Sequence, residues 1–151
     1  MLDFDIRCEA QERVLVLDTA AFLAGLQLHI YGHRLVTVPR VIEEVKDEAS
    51  VRGLEMALTV NRVEVVEPKK EYREQARSIA KDVGSLTKLS ETDLDVLALA
   101  LQLRDVGCRV VVVTDDYSLQ NTVALIGIEF QPVKSTGIKR PRLFRKSLNT
   151  S

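Results

Sequence analysis

The chain has 151 residues, 46% of them hydrophobic and 28% charged, a composition that excludes a disordered or fibrous polymer. Its length fits one domain able to bury a sizeable core. The formal net charge is −1, from 21 Lys and Arg against 22 Asp and Glu, which excludes a uniformly basic nucleic-acid binder.

Residues 14–17 are a continuous apolar run ending at Asp18, the pattern of a strand buried on both faces of a parallel sheet. A helix is expected over residues 20–28 and a second strand over 35–38. Pro39 suits the first turn of a helix, because its missing N–H is unpaired there in any case. Val41, Ile42, Val45 and Ala49 give that helix an apolar stripe, and 52–58 extend it beyond a break near Gly53. A third strand is expected over 63–66. Residues 69–83 form a charged amphipathic helix with Tyr72, Ala76, Ile79 and Val83 on one face, a surface for its own domain, a partner or a homodimer.

Residues 90–105 make the strongest helix, apolar on nearly every side and therefore buried. Residues 110–113 are four consecutive valines, the clearest strand, and run into Thr114-Asp115-Asp116. A helix over 118–126 and a strand over 128–131 complete the body. Strands alternating with helices predict a three-layer α/β/α domain with a mainly parallel central sheet.

The small net charge hides an asymmetry. Residues 134–151 hold six basic residues and no acid, leaving 15 basic against 22 acidic residues in 1–133. The expected division is an acidic domain over 1–133 and a basic tail or linker over 134–151. No apolar run reaches the ~18 residues of a membrane span. Asp3 and Asp5 stand where a signal peptide carries a basic and then apolar run. Cys8 and Cys108 are far apart and there is no C-x-x-C, which argues against a disulfide framework or Cys-rich zinc site and fits a reducing cytoplasm.

In open α/β sheets, ligands gather beyond the carboxyl ends of the strands. Asp18 follows one strand and Asp115-Asp116 another, so they belong to the same edge. Glu44 and Asp93 begin helices that pack on it. Each acid has an ordinary structural use: Asp18, Asp115 or Asp116 as helix caps, Glu43 and Glu44 near a helix N-terminus, and Asp93 in a capping box with Ser90. Converging carboxylates nevertheless repel unless a cation compensates them. An all-oxygen donor set without His or Cys suits Mg²⁺ or Mn²⁺. Such ions support phosphodiester hydrolysis. The sequence has no P-loop, dinucleotide fingerprint or nucleophile elbow. His29 and His33 read as loop residues.

Four segments resemble the motifs of PIN-domain nucleases: Val-Leu-Asp18-Thr-Ala-Ala-Phe, Pro39-Arg-Val-Ile-Glu-Glu44-Val, Leu89-Ser-Glu-Thr-Asp93-Leu-Asp-Val-Leu-Ala-Leu-Ala and Val-Val-Thr114-Asp-Asp116-Tyr-Ser-Leu-Gln-Asn. The wording of the last three is similar to the Nin-one-binding branch, which supplies the endonuclease that trims the 3′ end of small-subunit ribosomal RNA. The resemblance implies a metal-dependent endoribonuclease acting on single-stranded RNA of the small-subunit precursor, within a pre-ribosomal particle. It implies a metal-binding and catalytic quartet of Asp18, Glu44, Asp93 and Asp116, with Asp115 as a fifth metal ligand. Asp95 is the alternative to Asp93. Thr19 and Thr114 are expected to orient the carboxylates, and Asn121 to reach the same edge. In the tail, Lys139, Arg140, Arg142, Arg145 and Lys146 are the expected RNA contacts, with Phe144 as a stacking residue. Relatives of this branch commonly carry a zinc ribbon after the PIN domain, and residues 134–151 have no Cys pair for one. The alternatives are a toxin-type PIN ribonuclease and a non-catalytic RNA-binding assembly module.

Overall fold

Five short strands form one all-parallel sheet in the computed structural model, which describes residues 6–9, 12–45, 51–52, 55 and 62–136. They are β1 (Arg13–Leu17), β2 (Arg34–Thr37), β3 (Val63–Val65), β4 (Arg109–Val113) and β5 (Glu129–Gln131), in the order β3-β2-β1-β4-β5. β1 and β4 are the interior pair. Val14, Leu15, Val16 and Leu17 are fully buried, and Val110 to Val113 nearly so. Burial on both faces explains why these strands read as unbroken Val and Leu rather than alternating with polar residues. The expected three-layer α/β architecture is the one observed, with helices flanking the sheet.

The strand order decides where a ligand would sit. The chain runs outward from β1 to β2 and β3, then returns past β1 to form β4 and β5 on its other side. The reversal leaves a crevice between β1 and β4 at their carboxyl ends. Leu17 pairs with Val113, so both strands end level, and the Asp18 N–H donates to the Val113 carbonyl at 3.3 Å.

The helices whose ends lie among the described residues are α1 (Thr19–Leu23), α2 (Pro39–Glu44), α3 (Lys70–Asp82), α4 (Glu91–Asp105), α5 (Tyr117–Leu125) and α6 (Val133–Thr136). α1 is shorter than the helix expected over 20–28. Gly25, at φ 75°, follows it, and a 3₁₀ turn at Leu26–Leu28 comes next. A left-handed residue cannot continue an α-helix, and glycine takes that conformation without a Cβ penalty. α2 ends at Glu44 because Val45 is extended. Ala49 and most of 52–58 lie outside the described residues.

α3 packs along α4, burying Ala76 and Ala80, and the Tyr72 hydroxyl donates to Asp105 at 2.8 Å. Its apolar stripe therefore faces its own domain. Nearly all of α4 from Thr92 to Leu103 is buried, as its composition predicts. No helix among the described residues is long and apolar enough to cross a membrane.

The cysteines correct the expectation drawn from spacing. Cys8 and Cys108 form a disulfide, with Cα atoms 5.3 Å apart across 100 residues of sequence. The topology supplies the reason. Arg13 and Arg109 are register partners at the start of β1 and β4, so the segments that enter these strands meet. The Arg109 N–H donates to the Glu12 carbonyl at 3.0 Å at the same place. A long sequence separation here is a short distance in space, and cysteine usage gives no support for a reducing compartment.

A bridge closing so long a loop removes much of the freedom of the unfolded chain. Reduction, or Cys108→Ser, is expected to lower the unfolding free energy by about 2–5 kcal/mol. Urea titration with and without dithiothreitol measures this, and coincident transitions would contradict it.

Candidate active site

The carboxyl edge of the sheet collects the acids that the sequence places there. Asp18 leaves β1 and caps α1, its Oδ1 accepting from the Ala21 N–H at 3.2 Å. Asp116 leaves β4 and caps α5, its Oδ1 accepting from the Leu119 N–H at 2.9 Å. Asp93 sits in the first turn of α4 in a capping box: the Ser90 N–H donates to its Oδ2, and its own N–H donates to the Ser90 hydroxyl, both at 3.0 Å. The ordinary capping role of each aspartate is real, and it fixes the carboxylate. One oxygen is tied to the start of a helix, so the group cannot swing away.

Glu44 is held differently. Its Oε1 accepts from the Thr19 hydroxyl and its Oε2 from the Thr92 hydroxyl, each at 2.6 Å. Thr19 follows Asp18 and Thr92 precedes Asp93 in sequence. Two residues adjacent to two of the acids thus orient the third from opposite elements, α1 and α4. Thr114, fully buried at the end of β4, serves the remaining pair. Its hydroxyl oxygen accepts from the Asp116 N–H at 3.0 Å, and its side chain hydrogen-bonds Asp18. Thr19 and Thr114 do what the sequence predicts. Thr92 is a site residue that the sequence reading does not single out. Its one sequence signal is a hydroxyl beside Asp93 at the polar start of α4, among Glu91, Asp93 and Asp95.

Electrostatics couple these groups. Asp18 is 8% exposed, and its carboxyl is pushed up to about 6, chiefly by burial. Hydrogen bonds from Thr114 and Ala21 oppose the rise, while the charges of Asp93 and Asp115 add to it. Burial also raises Asp93, with Asp116 and Glu44 pushing in the same direction. Among the described residues, no Lys or Arg forms a salt bridge with Asp18, Glu44, Asp93, Asp115 or Asp116. No group of three or more His, Cys, Asp or Glu among them is arranged to hold a metal ion by itself. Mg²⁺ is commonly held by one or two carboxylates with waters and substrate phosphates completing its shell, and the all-oxygen donor set is compatible with that mode.

Two acids have further duties. Asp115 Oδ1 accepts from the Val133 N–H at 2.7 Å and the Lys134 N–H at 3.4 Å, anchoring α6 beside the site. Asp95, the sequence alternative to Asp93, is committed elsewhere. Its carboxylate is nearly buried and pairs with Arg40 of α2 at 2.9 Å and Arg73 of α3 at 3.0 Å. It ties three helices together beneath the site. His29 lies just after the 3₁₀ turn and His33 just before β2, as their reading as loop residues predicts. Lys139, Arg140, Arg142, Phe144, Arg145 and Lys146 fall outside the described residues.

The raised Asp18 carboxyl has a sign that can be checked. In the unfolded chain it ionises near 3.8, whereas in the metal-free fold it keeps its proton to about pH 6. Its contribution to stability is therefore present below pH 4 and lost as pH rises toward 6. At pH 7.5 Asp18→Asn is expected to be more stable than the parent by about 2–3 kcal/mol, with no gain at pH 3.5. Chemical denaturation in EDTA at both pH values measures it, and an equal or less stable mutant at pH 7.5 would contradict it.

Residues 15–103 match the family model described as the PIN domain of ribonuclease. Ribonuclease VapC3 of Aeropyrum pernix is 49% identical over 114 residues, covering 76% of this chain and 81% of that one. Endoribonuclease Nob1 of Pyrococcus abyssi is 40% identical over 126 residues, covering 83% and 71% respectively. Endoribonuclease Nob1 of Methanothermobacter thermautotrophicus is 37% identical over 131 residues, covering 87% and 75%. The chain belongs to the PIN-domain family of ribonucleases, as an enzyme of the endoribonuclease class.

Proposed function

We propose that the enzyme is a divalent-metal-dependent endonuclease of single-stranded RNA. Its substrate is the 3′ region of the small-subunit ribosomal RNA precursor, met in a pre-ribosomal particle in the cytoplasm. The observation that carries the metal reading is the coupling of acids at the β1–β4 crevice with no cationic partner among the described residues. Asp95 supplies the contrast, since an acid kept for structure has two arginines. Asp18, Glu44, Asp93 and Asp116 would hold Mg²⁺ or Mn²⁺, with Asp115 beside them. A bound ion of this kind activates water and stabilises the leaving oxygen of a phosphodiester.

The chain's own residues prepare the site. Thr19 and Thr92 hold both Glu44 oxygens, and Thr114 links Asp18 to the start of α5. The acidic edge repels RNA, so a counterweight is needed. We assign it to the basic tail over 134–151, with Lys139, Arg140, Arg142, Arg145 and Lys146 on phosphates and Phe144 on a base. The anchoring of Val133 and Lys134 by Asp115 supports this, because the tail then leaves from the rim of the site.

The rRNA substrate rests on the motif wording and on several relatives named Endoribonuclease Nob1. The relative named Ribonuclease VapC3 favours a second reading, a toxin-type ribonuclease. A small inhibitor protein that copurifies, with growth arrest on expression, separates the two.

Cleavage of a single-stranded RNA spanning a small-subunit 3′ junction tests the metal reading. Cleavage is expected with Mn²⁺ and not with EDTA. Asp18→Asn should slow it by more than about 100-fold, and Thr92→Ala by about 10-fold with a higher Mn²⁺ requirement. Equal cleavage under all conditions would contradict it.

A further inference from the structure

The outward face of α5 combines three features. It is exposed, it begins at the acids, and it is uncharged. Tyr117 is 78% exposed and is the first residue of α5, immediately after Asp116. Asn121 is exposed one turn later, and Leu125, 68% exposed, one turn beyond that. Residues four apart lie along one helix face. The nine residues of α5 include no Asp, Glu, Lys or Arg, in a chain that is 28% charged.

Direction adds to this. Cα–Cβ bonds in a helix tilt toward its N-terminus, so Tyr117 projects toward the end of α5 that starts from Asp116. The other strongly exposed tyrosine is engaged. The Arg62 guanidinium lies 5.1 Å from the Tyr31 ring centre, and the Tyr31 hydroxyl donates to the Leu28 carbonyl. Among the described residues the Tyr117 hydroxyl has no hydrogen-bond partner. The support beneath the face is firm: Leu119 and Val123 are fully buried, and the Thr122 and Ser85 hydroxyls meet at 2.8 Å.

We propose that Tyr117 and Asn121 form a nucleobase platform, on which a base of the RNA near the cleaved phosphate stacks against the Tyr117 ring while the Asn121 amide meets a base edge. This rests on the endonuclease reading above. A ring, an amide and no charge suit the faces and edges of bases, whereas phosphates call for Lys and Arg. Stacking suits single strands, whose bases are free to splay onto an aromatic surface. The platform would position RNA at the acids without adding cations there, leaving bulk charge neutralisation to the tail.

The test is binding of single-stranded RNA in Mg²⁺ by the Asp18→Asn protein, whose slowed cleavage is expected to leave the RNA intact over the binding measurement. The same RNA is also made with one abasic nucleotide stepped along its length. Tyr117→Ala in this background should weaken binding of intact RNA about tenfold, and Tyr117→Phe should not. An abasic nucleotide at one position should cost the Tyr117 protein a similar factor, and the Tyr117→Ala protein nothing further. Asn121→Ala should give a smaller loss at the same position. Unfolding midpoints confirm that the variants fold.

Unchanged binding in Tyr117→Ala overturns the platform, and this is also the outcome if α5 serves a protein partner. Independent, multiplying losses overturn it as well. If Asp18-dependent cleavage persists while Tyr117→Ala binds normally, the platform alone falls. If the parent protein neither binds nor cuts RNA, the endonuclease reading falls and the platform with it.

Discussion

The level ending of two buried parallel strands is the constraint on which the site depends. β1 and β4 pair from Arg13 with Arg109 to Leu17 with Val113. The residues that follow therefore share one edge, and those residues are Asp18 and Thr114-Asp115-Asp116. The reversal of strand order at this pair opens the crevice. α2 and α4 then bring Glu44 and Asp93 to it. The acids have little freedom to separate, because three of them are also helix caps.

Such a cluster works against the fold. Burial and like charge raise Asp18 and Asp93, so ionising them costs stability. The compensation comes from neutral donors, namely backbone N–H groups at helix starts and the hydroxyls of Thr19, Thr92 and Thr114. These donors orient carboxylates without cancelling their charge, as an arginine would. Asp95 is treated in the opposite way. Arg40 and Arg73 neutralise it and join α2 and α3 to α4, which helps set the height at which Glu44 meets Thr92. One helix thus carries a neutralised structural acid and an unneutralised site acid two residues apart.

The sequence made the strands and the acids legible for the same reason. Strands buried on both faces are continuously apolar, so the point where each meets an aspartate stands out. The four valines before Thr114 are the clearest case. Capping chemistry was equally plain at Ser90 and Asp93. What stayed hidden depends on three-dimensional neighbours. Periodicity does not report that Arg40 and Arg73 converge on Asp95, or that Thr92 reaches Glu44. Spacing made the Cys8–Cys108 pair look remote, since only the β1–β4 pairing brings the two together. The early end of α1 turned on the single left-handed residue Gly25.

The central claim is that the crevice acids form an uncompensated charge cluster awaiting a divalent cation. Carbon-detected NMR titration of the Asp18 carboxyl tests it most directly, in EDTA and then in Mg²⁺. Without the ion the group should titrate near 6, and saturating Mg²⁺ should move it below its ordinary 3.8. A carboxyl that titrates identically in EDTA and in Mg²⁺ would show that Asp18 holds no ion and would contradict the claim.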